Sequence, residues 1–286
     1  MRLISIDHRQ NPCYSAQLSG PFWNQPDFEW SDSESAHRNR RRASEQVAKM
    51  KRNQAGHGYT EGIKDKIKDL GAALVGVTDT EPLKQLRLDP PTLLDPFYRA
   101  IAIAISLPRA VFEQIDDRPI PLYASVYRSA NGILDEIAFR AANLLQEDGF
   151  AGLPIPASQV LDRQNWFGAI THKAVGRMAG LGWQGKSLLL VNPEYGPRIR
   201  LATILTDAPL DTDSPMENRC GDCTLCADAC PAGAIKGVNT EDRYESREEA
   251  LYFSRCVQKL TNEFSRLPNI DAAICGVCIK VCPFGR

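Results

Sequence analysis

The stretch Cys220-Gly221-Asp222-Cys223-Thr224-Leu225-Cys226-Ala227-Asp228-Ala229-Cys230-Pro231 constrains this chain more than any other. Its thiols follow C-x₂-C-x₂-C-x₃-C-P, the spacing that ligates cubane iron–sulfur clusters. In that pattern three sulfurs converge on one [4Fe–4S] cube, and the fourth, set apart by its longer spacer and the proline, ligates a second. A second group of thiols is therefore required. Cys275-Gly276-Val277-Cys278-Ile279-Lys280-Val281-Cys282-Pro283 supplies C-x₂-C-x₃-C-P, and Cys256 lies upstream. This assigns Cys220, Cys223, Cys226 and Cys282 to cluster one, and Cys230, Cys256, Cys275 and Cys278 to cluster two. Of nine cysteines only Cys13 is left over, as a lone thiol.

A single zinc on two C-x₂-C pairs would leave four thiols and two Cys-Pro endings without a role. Disulfides fit poorly, because no secretory apolar segment precedes them and a chain of 286 residues needs no covalent staples. Arg40-Arg41-Arg42 is followed by polar Ala43-Ser44-Glu45-Gln46 rather than by the apolar run of an export signal. The expected compartment is the cytoplasm, with reduced thiols. A net charge of −1 provides no global field for nucleic acid or anionic membrane. No apolar run approaches the roughly 20 residues of a membrane span, so no membrane partner is expected.

Three domains are expected. Residues 1–58 form a polar arm with Phe22, Trp23, Phe28 and Trp30, a basic helix at Ser44–Arg52, and a basic run, Arg38 and Arg40 to Arg42, that reads as a solvated face, the alternative being contact with RNA. Residues 59–212 alternate helix and strand, an α/β core. Ile63, Ile67 and Leu70 mark a helix ending at Gly71, followed by a strand at 72–77 and another at 100–107. Ile133, Leu134, Ile137, Ala138, Ala141, Leu144 and Leu145 mark a long helix ending before Gly149. Further strands are expected at 187–191 and 201–205. Residues 213–286 form the cluster domain, in which 239–267 is a helical insertion carrying Cys256 and cluster binding supplies much of the folding free energy.

Gly180-Leu181-Gly182-Trp183-Gln184-Gly185-Lys186-Ser187 matches G-x₄-G-K-[ST] in form only. A phosphate loop follows a strand and opens a helix, whereas here a helix at 171–179 precedes and a strand follows. The glycines either let backbone approach a flat ligand closely or form a tight helix-to-strand turn.

Thr171-His172-Lys173, Ala179-Gly180-Leu181-Gly182-Trp183-Gln184-Gly185-Lys186, Pro193-Glu194-Tyr195-Gly196-Pro197-Arg198, Thr206-Asp207-Ala208-Pro209-Leu210 and Arg255-Cys256-Val257, with the cysteine runs, occur in a fixed order. From about Ile63 onward that order resembles the corrinoid and double-[4Fe–4S] proteins typified by epoxyqueuosine reductases and reductive dehalogenases. The resemblance implies a nitroreductase-like α/β (α+β) core cradling base-off cobalamin, with a ferredoxin-like double-cluster domain closing over it. It implies a reductase that takes low-potential electrons from a ferredoxin- or flavodoxin-type donor and reduces a small molecule. The alternatives are an electron-transfer protein serving a partner's corrinoid or flavin, and epoxyqueuosine reduction on tRNA.

The pocket expected from the resemblance contains His172, Tyr195 and Arg198 as catalytic candidates. His172, Lys173, Gly182, Gly185, Lys186 and Arg200 are its corrinoid contacts; for His172 the other reading is structural, and for Lys186 it is a surface lysine. One of Arg198 and Arg200 is expected to neutralise substrate or developing charge, and the other to form an ion pair. Counting back from Ala179, Trp166 occupies the place of the family's proton-donating aspartate; Asp162 is near but does not match. Dehalogenases use a tyrosine beside a basic residue, for which Tyr123 and Tyr127 are on offer. The chain does not run on past Phe284-Gly285-Arg286 into a helical-repeat domain that helps to grip tRNA, so tRNA is expected not to be the substrate.

Overall fold

The computed structural model describes residues 57–285, which belong to one compact unit. The expected N-terminal arm, its basic run and Cys13 lie outside the described residues. Alternation of small and β-branched residues builds the centre of the molecule. The strand β1 (Leu74–Asp79) pairs antiparallel with β2 (Arg99–Ser106), and β2 pairs antiparallel with a later strand at Ile199–Thr206. Side chains on a strand point alternately to its two faces. Ile101, Ile103 and Ile105 therefore enter one apolar cluster, and Ala100, Ala102 and Ala104 enter another on the opposite face.

The isoleucine face is covered by helices α1 (His57–Asp69) and α3 (Pro121–Glu147), with the short α2 (Arg109–Glu113) between them in sequence. Leu134, Ile137, Ala138, Ala141 and Leu145 of α3 lie in that core, while Ile133, expected on the same face, is 48% exposed. Gly149, at φ +85°, ends this helix in the left-handed cap expected of it. The alanine face is covered by α4 (His172–Met178), and the small side chains let that helix come close. A Cβ on Gly76 of β1 would stand 2.1 Å from the Ala179 carbonyl oxygen.

Two strands differ from expectation. Gly152–Ile155 forms an edge strand, β3, that the sequence pattern did not signal, since it is four residues long and contains Pro154. The strand expected at 187–191 shrinks to β5 (Leu190–Val191), which pairs with β4 (Trp183–Gln184) outside the main sheet. Leu188 explains the loss: its φ is +59°, so extended pairing cannot begin before it. With the last strand numbered β6 (Ile199–Thr206), the main sheet has the order β1-β2-β6-β3, antiparallel throughout.

The cysteine-rich segment carries α5 (Leu225–Asp228), α6 (Arg247–Ala250), α7 (Phe253–Gln258) and α8 (Val277–Lys280). A short π-helical turn, Lys259–Glu263, follows α7. The expected insertion at 239–267 is thus helical only from Arg247 onward. Ile270, Ile274 and Val277 join the isoleucine-face core, so this segment packs against the sheet domain rather than around a large core of its own. Among the described residues, no helix is long and apolar enough to cross a membrane.

Candidate redox site

Four thiols that are distant in sequence share one cavity. Cys220, Cys223, Cys226 and Cys282 line it together with Cys278, Gly185, Lys186, Ser187, Val191 and Phe284. Burial, and then the neighbouring thiols Cys220, Cys282 and Cys223, push the Cys226 thiol up to about 11. The other group is Cys230, Cys256, Cys275 and Cys278. Burial raises Cys256, Cys275 and Cys278; neighbouring thiols add to it, Cys226 among them at Cys278, while Lys173 opposes it at Cys256 and Lys259 at Cys275. Free thiols shifted this way stay protonated at neutral pH, so loading with metal must expel protons.

The glycine loop serves the first set of thiols. A Cβ on Gly182 would stand 2.2 Å from the Val191 carbonyl oxygen, so this glycine faces the protein's own hairpin and has no open side for a corrin. A Cβ on Gly185 would meet Val191 at 2.7 Å and the Cys220 sulfur at 3.7 Å. Lys186 is 4% exposed and donates to the Cys223 carbonyl at 2.9 Å. Gly182, Gly185 and Lys186, expected as corrinoid contacts, form a tight turn that packs beside the first thiols. Gln184 extends it by accepting from Asn218 and Tyr244.

The Tyr195-Gly196-Pro197-Arg198 turn is a latch for the C-terminal segment. A Cβ on Gly196 would be 2.1 Å from the Phe284 carbonyl oxygen, and Arg198 donates to the carbonyls of Leu107 at 2.6 Å and Gly285 at 2.7 Å. Phe284 in turn meets Trp183 edge-on at 4.8 Å between ring centroids. Tyr195 packs against the alanine-face core, beside Gly285. Of the two expected catalytic candidates, Arg198 holds the tail that bears Cys282 through its side chain, and Tyr195 meets that tail with its backbone.

His172 caps a different story. Its Nε2–H donates to the Pro156 carbonyl at 3.0 Å, which fixes Nδ1 as the acceptor of the Thr203 hydroxyl at 2.8 Å. With both nitrogens engaged inside the protein, the expected catalytic role gives way to the structural one. Burial holds its pKa at about 4, against the ordinary 6.5. The folded pKa lies below the unfolded one, so stability is unaffected above about pH 6.5 and falls as pH drops from there toward 4. We expect the loss to reach up to about 3 kcal/mol by linkage, and His172→Gln to flatten the decline in urea unfolding compared at pH 7 and pH 5.

Lys173, in the first turn of α4, keeps solvent-exposed surface while its ammonium end is crowded by protein. Burial first, then Arg247 and Arg200, bring its pKa down to about 8, while the thiols Cys256 and Cys278 act in the opposite sense. Arg200 donates to Asn131 at 2.9 Å and lies 4.5 Å above the Tyr127 ring. Burial raises the Tyr127 pKa, but the Arg200 charge and hydrogen bonds with Ser158, Asn131 and Arg200 outweigh it and hold the phenol below its usual value. Tyr123 is buried beside it, and that burial holds its phenol well above the usual value. Lys173, Arg200 and Tyr127 thus gather near the second set of thiols.

These observations meet the comparisons with known proteins at the cysteines. Residues 219–285 match the family described as "4Fe-4S double cluster binding domain". The chain carries a double-cluster domain. Beyond it, the epoxyqueuosine reductase of Listeria monocytogenes is 32% identical over 119 residues, 42% of this chain and 31% of the relative. That of Bacillus subtilis is 35% identical over 126 residues, 42% of this chain and 30% of the relative. The matched segment thus spans under a third of these curated relatives. Among solved structures, an epoxyqueuosine reductase with an epoxyqueuosine-modified tRNA-Tyr stem loop superposes with TM-score 0.53 at 25% identity, covering 79% of this chain and 64% of that one. A catabolic reductive dehalogenase in complex with 3-bromo-4-hydroxybenzoic acid gives TM-score 0.59 at 22% identity, covering 77% and 31%, a likeness of fold alone.

Against the double-cluster domain lies a cleft of about 500 Å³ lined by Trp166, Lys236, Tyr252, Phe253 and Arg255. Trp166, at φ +59°, sits in a loop that Asp162 organises by accepting from the Gln164 and Asn165 backbones, the Asn165 side chain and Arg87. Hydrogen bonds from Asn165, and then Arg87, depress the Asp162 carboxyl, so it is a fixed anion rather than a proton donor. Around the cleft, cations and rings interleave. Arg247 lies over Phe167 at 3.7 Å and over Phe253 at 4.5 Å, and Lys236 and Arg255 lie over Tyr252 at 4.7 and 4.4 Å. Sequence reading missed this strip because its members are far apart in the chain, from Phe167 to Arg255.

Proposed function

We propose that this protein is an iron–sulfur reductase of the epoxyqueuosine-reductase type, acting on an epoxide-bearing nucleoside in RNA. The observation that carries the reading is the match of residues 219–285 to a double 4Fe-4S cluster domain, with Cys220, Cys223, Cys226, Cys278 and Cys282 lining one cavity. When bound, two [4Fe–4S] clusters and a base-off cobalamin supply low-potential one-electron steps and the reducing metal. Cys220, Cys223, Cys226 and Cys282 would hold one cluster, and Cys230, Cys256, Cys275 and Cys278 the other. In the same reading residues 59–212 are a nitroreductase-like corrinoid domain, residues 213–286 are the cluster domain, and the arm at 1–58 lies before them.

Donor chemistry fits the clusters, because thiols are the ligands cubane clusters take. For the corrinoid, the reading is supported by the polar group of Lys173, Arg200 and Tyr127, whose lysine feels the Cys256 and Cys278 thiols. Epoxide reduction consumes two electrons and two protons and releases the oxygen as water. Tyr127 would hold one proton at its Oη, oriented by Ser158 at 3.1 Å and Arg200 at 3.4 Å. Its task would be the one that Trp166, in the place of the family's aspartate, cannot perform.

Two things support RNA over the small molecule expected at first. The curated relatives named above are epoxyqueuosine reductases, and the cleft beside Trp166 interleaves cations with rings, the composition of surfaces that stack bases and track phosphates. The test is anaerobic reconstitution followed by turnover of an epoxyqueuosine-modified stem loop. Lys236→Ala and Tyr252→Ala should each weaken binding of that stem loop about tenfold. Lys236→Ala should also reduce the salt slope of log Kd by about one. The Tyr127–Arg200 pair favours a second reading, a dehalogenase-like reduction of a halogenated phenol. Bromide release from 3-bromo-4-hydroxybenzoate without stem-loop turnover would select it.

A further inference from the structure

Trp183 is 1% exposed, and its indole nitrogen faces the Cys220 sulfur at 3.4 Å. An indole N–H only donates, and a buried donor left without an acceptor is costly. The sulfur is the acceptor the structure supplies. The ring cannot easily turn away, because β4 fixes its backbone and Phe284, two residues beyond Cys282, packs edge-on against it. The Arg219 guanidinium lies 5.8 Å from the ring centroid on the same segment as Cys220. Trp183 thus touches the first tetrad through a hydrogen bond at one end and through the tail bearing Cys282 at the other. In the second tetrad, the corresponding contact is the Ala234 backbone N–H to the Cys230 sulfur at 3.3 Å.

We infer that Trp183 is a positioning residue that sets the reduction potential of the first cluster, making it easier to reduce than it would otherwise be. The inference rests on the two-cluster reading above. Uptake of one electron from a ferredoxin- or flavodoxin-type donor adds one negative charge to the cluster and its thiolates. No bond forms or breaks, and the donor is oxidised by one electron. A hydrogen bond donated to a coordinating sulfur stabilises the more negative state more, because that sulfur is then the stronger acceptor. Removing the N–H while keeping an aromatic ring therefore lowers the potential of this cluster alone.

The test is an anaerobic redox titration of the reconstituted full chain, followed by EPR, for the wild type, Trp183→Phe and Trp183→His. In Trp183→Phe one midpoint should fall, with about a tenfold smaller equilibrium constant for reduction, which is about 59 mV for a one-electron couple. The other midpoint should stay in place, since the Ala234 donor is backbone. Trp183→His, which can restore an N–H, should recover part of the shift. Unchanged midpoints, or an equal shift of both, overturn the inference while leaving the two clusters standing. Should the variants lose iron, the wild type decides: protein labelled with ¹⁵N-tryptophan should show a ¹⁵N coupling to one reduced cluster, and its absence overturns the inference. Wild-type protein that reconstitutes to only about four irons per chain overturns the two-cluster reading and this inference together.

Discussion

Replacing Cys230 by alanine should destroy the cluster of Cys256, Cys275 and Cys278 and spare the cluster held by Cys230's own sequence neighbours. Cys230 closes the first run, four residues after Cys226, yet its electrostatic partners are Cys256, Cys275 and Cys278. Cys226 instead senses Cys220, Cys223 and Cys282. Iron in the reconstituted variant should fall from about eight to about four per chain, and the reduced protein should show one EPR-active cluster in place of two coupled ones. The converse holds for Cys282→Ala, which lies in the second run but lines the first cavity. If Cys230→Ala instead removes the cluster of Cys220, Cys223 and Cys226, the tetrads are not interlocked and each run folds around its own cube. Because metal binding is coupled to folding in a segment with so few apolar residues of its own, the loss should also be visible as reduced protection of residues 230–282.

The second large effect is expected at Gly196, which lies far from every cysteine in sequence. It adopts φ +58°, and a Cβ there would stand 2.1 Å from the Phe284 carbonyl oxygen and 2.8 Å from the Phe284 carbonyl carbon. The atoms in the way are backbone, so no side-chain rotation relieves the clash. Left-handed backbone alone costs about 1–2 kcal/mol for a residue with a side chain. Gly196→Val should therefore release the tail from the Tyr195 turn and from Arg198, carrying Cys282 away from its three partners. We expect loss of the first cluster with the second retained, and destabilisation of at least about 2 kcal/mol, read as a fall in Tm of about 5 °C. Retention of both clusters in Gly196→Val would show that the latch is dispensable to Cys282.

Much of the framework was legible in the chain. The Ala/Ile alternation of residues 100–105 marked a strand buried on both faces, and it is the central partner of both β1 and β6. The three-to-four spacing from Leu134 to Leu145 marked the helix that covers it. Gly71 and Gly149 marked helix ends, and both have positive φ. Illegible were the short elements. Gly152–Ile155 is a strand because β6 offers it an edge, and Leu190–Val191 is paired with Trp183–Gln184 because Leu188 turns the chain first. Periodicity over four or fewer residues carries too little signal to register such pairings.

The site divides in a similar way. Cysteine spacing determined by itself how many thiols there are and that they suit cubane clusters, and it is the ground for expecting the two runs to exchange their last members, because spacer length and the Cys-Pro ending limit how many sulfurs one run can bring to a cube. Only the tertiary structure decided what surrounds them. It assigned the glycine loop to the underside of the first tetrad, the Tyr195–Arg198 turn to the tail, and both nitrogens of His172 to Thr203 and Pro156. It also brought Tyr127 to Arg200 and aimed the Trp183 N–H at the Cys220 sulfur. The physical reason is reach. Ligand spacing is a local property fixed by a few backbone bonds, whereas a hydrogen bond between residues 37 apart, as from Trp183 to Cys220, exists only once the sheet and its hairpin have set the distance.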